Sequence, residues 1–288
     1  MELRHLRYFL AVAEEMNVHR AARRLNISQP PLSLTIRQLE EEIGVTLFER
    51  KGRGLHITRA GEIFLKRVRA ILNSAEEAVI EAVQVGQGIA GTLRIGFVSS
   101  TVTGILQKSV SVQKRRYPQV NIEMTQSTNK GIPEQIAADE IDIGLLRLPE
   151  VLPSFICMKE VSKESWFVAL PKGHLLKDKK KIRIHDLARE RLIFYPRENS
   201  PAGYDDVMNL FKEKNVTPNI VQEATEQMTI AGLVASDMGV GIVPECMAQI
   251  QIPNVTHRPL EGTKNRTGFA FVYKKDADPL VQNFLDLL

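Results

Sequence analysis

Cysteine is nearly absent from this chain of 288 residues: there are two, Cys157 and Cys246. So few cysteines exclude a disulfide framework, and their separation excludes a metal-ligand pair. Long apolar runs are missing too. The longest stretches, such as Thr229–Ser236, fall far short of the roughly 20 residues a membrane helix needs. Near the N-terminus the apolar patch Tyr8–Ala13 runs straight into Glu14-Glu15 with no small-residue cleavage site. That points away from a secretory signal and towards a cytoplasmic protein without a membrane partner. Catalytic signatures are lacking as well. There is no Walker lysine loop, no Gly-x-Ser-x-Gly elbow and no His-Glu-x-x-His. The six histidines (5, 19, 56, 174, 185 and 257) are scattered, and His174 reads most simply as a surface loop residue. No enzyme, metal or cofactor is expected.

What is present is an ordinary globular composition, 43% apolar and 25% charged, with a length that fits about two domains. The charge is uneven. Residues 1–72 hold 13 Lys/Arg against 8 Asp/Glu, a net of +5, and residues 73–288 hold 25 against 26. A small module for a polyanion joined to a nearly neutral body fits that division.

Within the basic quarter, Leu3, Leu6, Phe9, Leu10 and Ala13 recur at helical spacing, predicting a helix to about Met16. Asn17 is placed to cap a second helix, Val18 to Leu25. After Asn26-Ile27-Ser28, a third helix starts at Gln29-Pro30-Pro31, where the first turn tolerates proline. Ser28 is the natural cap. Leu32, Ile36, Leu39 and Ile43 form the buried stripe, leaving Gln29, Pro30, Ser33, Leu34 and Arg37 on the opposite face. This is the pattern of a helix-turn-helix with an exposed polar recognition face, although a three-helix bundle shares the same spacing. The segment 48–58 then reads as a short hairpin, or wing, around Lys51-Gly52-Arg53-Gly54. It makes Arg50, Lys51 and Arg53 available to phosphates or a minor groove, unless it is only a solvated basic loop.

The first sixty residues resemble the LysR-type transcriptional regulators. The resemblance is carried by Met1–Phe9, Ala21-Ala22, Leu25, Ser28–Ser33, Ile36, Leu39-Glu40, Gly44, Leu47–Arg50 and Thr58–Gly61. It implies a winged helix-turn-helix reading an imperfect palindrome in double-stranded DNA upstream of a regulated gene. Gln29, Pro30, Ser33 and Arg37 would touch DNA from the recognition helix and Arg53 from the wing. Leu34 departs from the family's frequent polar residue. A leucine contacts a thymine methyl group but makes no bidentate hydrogen bond.

Thr58 is placed to cap a long helix reaching Val85, broken by Gly86–Gly91. Within it Phe64, Val68, Ile71, Ala75, Ala78, Ala82 and Val85 keep a heptad seam. That is the signature of a dimerisation helix, a solitary helix packed on its own domain being the alternative. The resemblance implies that such dimers pair into tetramers.

From Thr92 strands and helices alternate: β-like Leu93–Val98, a helix to Arg116, β-like Val120–Met124, helical Pro133–Ala138 and β-like Ile141–Leu146. That order predicts a parallel sheet with helices on its faces. Further strands are read at Trp166–Leu170, Leu192–Tyr195, Gly241–Pro244 and Gly268–Tyr273. Further helices are read at Asp205–Lys214, Met228–Ser236 and Pro279–Leu287. About 200 residues of this kind make two α/β lobes, whose ligands bind beyond the strands' carboxyl ends. Ser99-Ser100-Thr101, Ser127-Thr128-Asn129, Ser200-Pro201-Ala202-Gly203 and Thr225-Glu226-Gln227-Met228 all fall at such places. Their hydroxyls and backbone N–H groups suit a small carboxylate, and Arg147 adds a positive charge. Taken singly, each is equally an ordinary cap or loop residue.

The resemblance extends over this part, through Leu93–Gly96, Pro118, Ile141–Gly144, Leu170-Pro171, His174-Leu175 and Gly239–Pro244. It implies a two-lobed fold like that of periplasmic binding proteins, with a co-inducer in the cleft and Ser99, Ser100, Thr128 and Pro201-Ala202-Gly203 at cleft positions. Texture such as Asn219–Thr225 is similar to members controlling aromatic-acid breakdown or acetoin formation, which respond to small organic acids. The expected fold is therefore α/β: a winged helix-turn-helix (1–58), a linker helix and hinge (59–90) and an effector-binding domain (91–288). Its lobes would be about 92–161 with 266–288, and about 162–265. The expected function is transcription regulation with DNA, RNA polymerase and a small carboxylate effector as partners. Two alternatives stay open: a redox regulator of the same fold using Cys157 and Cys246, and a solute-binding protein without a transcriptional role.

Overall fold

The computed structural model describes residues 1–52 and 54–288, the side chains of residues 102 and 103 excepted. The chain divides into two compact units, Met1–Gln84 and Val85–Leu288.

The first unit contains α1 (Leu3–Glu15), α2 (Val18–Arg24), α3 (Gln29–Ile43), the hairpin β1 (Phe48–Lys51) and β2 (Gly54–Ile57), and most of α4 (Arg59–Gly86). Phe9 is fully buried and organises the core, its ring 5.2 Å from that of Phe48 and 4.9 Å from that of Phe64. Asn17 caps α2, its side chain accepting from the N–H groups of His19 and Arg20 at 2.9 and 3.1 Å. Ser28 does stand at the N-cap of α3, but its hydroxyl makes no capping bond. Pro30 and Pro31 in the first turn hold helical φ there without one. The buried stripe of α3 is Leu32, Ile36 and Leu39.

Glu40 has a structural task that its exposed spacing does not reveal. Its carboxylate accepts from the N–H groups of Leu47 and Phe48 at 2.7 and 3.0 Å, pinning the entry to the wing onto the recognition helix. At the wing's exit Thr58 accepts from Gly61 N–H (3.0 Å) and donates to Thr46 O (2.8 Å), starting α4. Gly61 is required by close approach: a Cβ there would lie 2.3 Å from the Leu47 carbonyl oxygen. Gly61→Ala is expected to destabilise this unit by about 1–3 kcal/mol through overpacking. Denaturant unfolding checks it, and an unchanged midpoint would remove the steric account.

The long helix separates the predicted seam into two parts. Phe64 and Val68 belong to the unit's own core rather than to a seam, because α4 begins by packing on α1. Further along, Val79 and Val83 are 64% and 51% exposed, beside exposed Ala78 and Ala82.

Beyond the helix, Gly86–Gly91 has the glycine spacing of a dinucleotide loop. It leaves a helix and enters a strand, however, the reverse of the order that aims a helix N-terminus at phosphate. Gly88 has φ +67°, and a Cβ on it would lie 2.4 Å from the Leu280 nitrogen. The Asn283 amide donates to the carbonyls of Gln87 and Gly88.

The second unit holds two five-stranded sheets. The first lobe begins with β3 (Gly91–Phe97), α5 (Gln107–Arg116), β4 (Val120–Gln126), α6 (Gly131–Ala137), β5 (Ile143–Leu148) and β6 (Ile156–Glu164). The second lobe follows with β7 (Trp166–Pro171), β8 (Arg191–Phe194), α7 (Pro201–Glu213), β9 (Asn219–Glu223), α8 (Gln227–Ala235), β10 (Val240–Pro244), α9 (Glu245–Ala248) and β11 (Val255–Pro259). The chain then returns to the first lobe as β12 (Thr267–Lys274) and α10 (Pro279–Leu285). The sheet orders are β4-β3-β5-β12-β6 and β11-β7-β10-β8-β9.

Both sheets are mixed rather than parallel as expected. β3 pairs in parallel with β4 and β5, whereas β12 lies antiparallel between β5 and β6. In the other lobe β8 runs parallel to β9 and β10, with β7 antiparallel to β10 and β11. The cause is the double crossing: a strand returning from the other lobe enters its sheet from the opposite end. β6 remains in the first sheet to Glu164, where the sequence places the crossing near 161. The strands β6, β9 and β11 were not legible as apolar runs because all three are edge strands that bury little.

Candidate functional site

Two surfaces carry the predicted site residues. On α3, Gln29, Pro30, Leu34 and Arg37 are exposed and Ser33 is half-buried, all on the side opposite Leu32, Ile36 and Leu39. Leu34 is 53% exposed, so the apolar side chain stands in solvent and is not used in the core. On the hairpin, Arg50 and Lys51 are exposed; Lys51 forms an exposed ion pair with Glu49 at 2.6 Å. Among the described residues Arg37 and Arg50 form no ion pair, and both are exposed. Arg53 lies outside the described residues.

The second surface is a cleft of about 70 Å³ in the Val85–Leu288 unit. It lies at the carboxyl ends of the parallel strands of both sheets, the position the α/β rule assigns to a ligand. Ser99 and Ser100 follow β3, Thr128 and Asn129 follow β4, and Arg147 sits near the end of β5. From the second lobe, Tyr195 and Gly203 follow β8, and Thr225 and Glu226 follow β9. The structure thus brings together Ser99, Ser100, Thr128, Arg147, Gly203 and Thr225 from the predicted set.

Four predicted positions are corrected. Thr101 is buried and its hydroxyl donates to the Val98 carbonyl at 2.7 Å, closing a turn behind the cleft. Met228 is 55% exposed on α8 and does not line the cavity. Pro201 and Ala202 form the first turn of α7 but present no wall; only Gly203 does.

Arg147 is corrected in role rather than place. Its guanidinium is buried and already paired, bonding Glu164 at 2.9 Å, Thr267 at 3.2 Å, Ser100 at 3.3 Å and the Cys246 sulfur at 3.3 Å, and lying 4.1 Å from the Phe269 ring centre. It therefore organises the cleft wall instead of offering a free charge. Reading a strand end shows that an arginine is present there, but not the Glu164 that β6 supplies.

Three polar groups of the cleft have roles that the sequence pattern does not show. Buried Asn129 ties the end of β4 to β5, exchanging hydrogen bonds with the backbone of Arg147 and reaching Ser200 of the other lobe at 3.2 Å. Tyr195 lines the cavity, and burial holds its phenol protonated far above the usual range. Glu226 reaches from the second lobe to the first: its carboxylate accepts from the Ser99 hydroxyl and from the Gln126 amide at 3.1 Å. Glu226 stood inside a motif read for its hydroxyl and backbone groups, and no local pattern signals a cross-lobe bond. Among the described residues no His/Cys/Asp/Glu group is arranged to hold a metal ion, and no helix is long and apolar enough to cross a membrane.

Against known families, residues 3–62 match the bacterial regulatory helix-turn-helix protein, lysR family, and residues 86–288 match the LysR substrate binding domain. The chain belongs to the LysR family of transcriptional regulators. It is 38% identical over 288 residues to the HTH-type transcriptional regulator AlsR of Bacillus subtilis (strain 168), covering 100% of this chain and 95% of that one. Among solved structures it is similar to CbnR, a LysR family transcriptional regulator, with a TM-score of 0.85 at 28% identity over 100% of this chain and 99% of that one. Full-length CbnR has also been solved in complex with its target DNA, at a TM-score of 0.84 and 26% identity over 100% of this chain and 98% of that one.

This LysR regulator is thus a DNA-binding transcription regulator carrying an effector-binding domain, and the two alternatives are not favoured. The winged helix-turn-helix sets it apart from a standalone solute-binding protein. For a redox regulator the chemistry is unsuited: burial pushes the Cys246 thiol up to about 11, despite the neighbouring Arg147, so at neutral pH it stays protonated and unreactive. Cys246 and Cys157 are both free thiols.

Proposed function

We propose that this regulator binds an imperfect palindrome through Gln29, Pro30, Ser33, Leu34 and Arg37, with Arg50, Lys51 and Arg53 on adjacent phosphates or in the minor groove. A small organic acid in the cleft of the Val85–Leu288 unit would then alter promoter occupancy. The observation that carries the reading is the cleft itself: hydroxyls from both lobes meet at the carboxyl ends of parallel strands. A ligand contacting both lobes stabilises one lobe arrangement over another, which is the differential affinity a switch requires. The apolar strip Ala78, Val79, Ala82 and Val83 supports pairing of two chains through α4, so that two recognition helices meet a two-fold site; pairs of such dimers make a tetramer. The protein acts by binding, in the cytoplasm, and its effect on transcription passes to RNA polymerase through the spacing and bending of bound DNA.

A footprint of the purified full chain on DNA upstream of its own and neighbouring genes tests this, with competitor DNA present and with and without a panel of small carboxylates. The expected result is protection of a two-fold site whose length or bending changes with one class of acid. Protection that no acid alters would remove the effector half, and no protection at low salt would remove the DNA half.

A further inference from the structure

The reading of the cleft as a small-acid site leaves the kind of acid open, and the cleft's hydrogen-bonding groups narrow it. We propose that the effector is a short aliphatic hydroxy acid, one molecule bearing both a carboxylate and a hydroxyl group, rather than an aromatic or unsubstituted acid. The inference rests on the cleft reading above.

Size is the first reason. At about 70 Å³ the open cleft favours an acid of few non-hydrogen atoms, such as glycolate or lactate, over the larger benzoate. The lining is the second. Hydroxyl, amide and carboxylate side chains make up most of the lining residues, Val98 being the one aliphatic side chain among them, so hydrogen-bonding groups rather than packing partners face a ligand.

The third reason is the count of protons. Among the described residues, the hydroxyls of Ser100 and Thr128 act only as acceptors, from the Arg147 guanidinium (3.3 Å) and from Gly131 N–H (3.0 Å). Each retains a proton to donate, as does the protonated Tyr195 phenol. A ligand carboxylate, which only accepts, matches these donors.

Glu226 imposes the opposite demand. Its carboxylate stands in the same cavity and itself only accepts. It takes the single proton of the Ser99 hydroxyl and one from the Gln126 amide. An acid carrying nothing but a carboxylate would set a second negative charge beside it with no proton between them. A ligand hydroxyl supplies that proton, donating to Glu226 while the ligand's carboxylate takes the hydroxyls of the first lobe. The pairing also engages both lobes with one small molecule.

Calorimetric titration of the full-length protein with matched pairs tests this without any variant: lactate against propionate, glycolate against acetate, with benzoate as the aromatic probe. The expected result is that each hydroxy acid binds about tenfold or more tightly than its unsubstituted partner, the scale of one hydrogen bond to a charged group, and that benzoate binds worse than either. In Glu226→Gln the preference should shrink severalfold while the unsubstituted acids gain, since the repelling charge is gone. Equal binding within the pairs, or tighter binding of benzoate, overturns the hydroxy-acid assignment and keeps the cleft as an acid site. Absence of binding by every acid overturns the cleft reading itself, and this inference with it.

Discussion

Arg147→Met should destabilise the Val85–Leu288 unit by about 3 kcal/mol or more, because removing one partner of a buried ion pair leaves the other charge unpaired. The guanidinium and Glu164 side chains are only 9% and 13% exposed, so water does little to screen Glu164 once it is alone. The loss extends to the bonds with Thr267 and Ser100 and to the stacking on Phe269. Chemical denaturation followed by a probe in this unit reads the effect; the lone Trp166 is fully buried there and serves. The double variant Arg147→Met/Glu164→Met is expected to recover much of the loss, since no charge is then left unpaired. A single variant costing under about 1 kcal/mol, or a double variant no better than the single, would show that the pair is not what holds this wall of the cleft.

Arg37→Ala should weaken binding to the specific DNA site about 10- to 100-fold, the discrimination of one good bidentate base contact. Binding to unrelated DNA at the same salt should fall far less, so sequence preference relaxes. Arg37 stands exposed on the recognition face without an ion pair among the described residues, and its removal disturbs neither the buried stripe nor Glu40's hold on the wing. The readout is the ratio of affinities for specific and scrambled duplexes, together with the salt slope. An equal loss on both duplexes, with the slope reduced by about one, would make Arg37 a phosphate contact instead.

Much of the DNA-binding unit was legible before any coordinates. Leu32, Ile36 and Leu39 announce a helix face at fixed spacing, Asn17 announces a cap, and Gly52 with Gly54 announces the hairpin in which Lys51 pairs with Gly54. Each is a local relation within a few residues, where backbone geometry leaves little choice. Legibility ended where a residue's partner is distant along the chain. Glu40 looks like a solvated helix charge and instead holds the backbone of Leu47 and Phe48. Phe64 and Val68 fit a seam as well as they fit a core, since an apolar period names a buried face without naming what buries it.

The cleft divides the same way. The placing of serines and threonines after strands already marked the mouth of an α/β site, and Ser99, Ser100, Thr128 and Gly203 line it. That Arg147 is neutralised by Glu164, that Met228 turns to solvent, and that Glu226 crosses to Ser99 depend on the chain passing between lobes twice. Local pattern settles which faces are polar and where the turns fall, because helix and strand periods are properties of a few neighbouring residues. Which charges meet is settled only when strands as far apart in sequence as β5, β6 and β12 are laid side by side, since hydrogen bonds and ion pairs act over a few ångströms of space, whatever the separation along the chain.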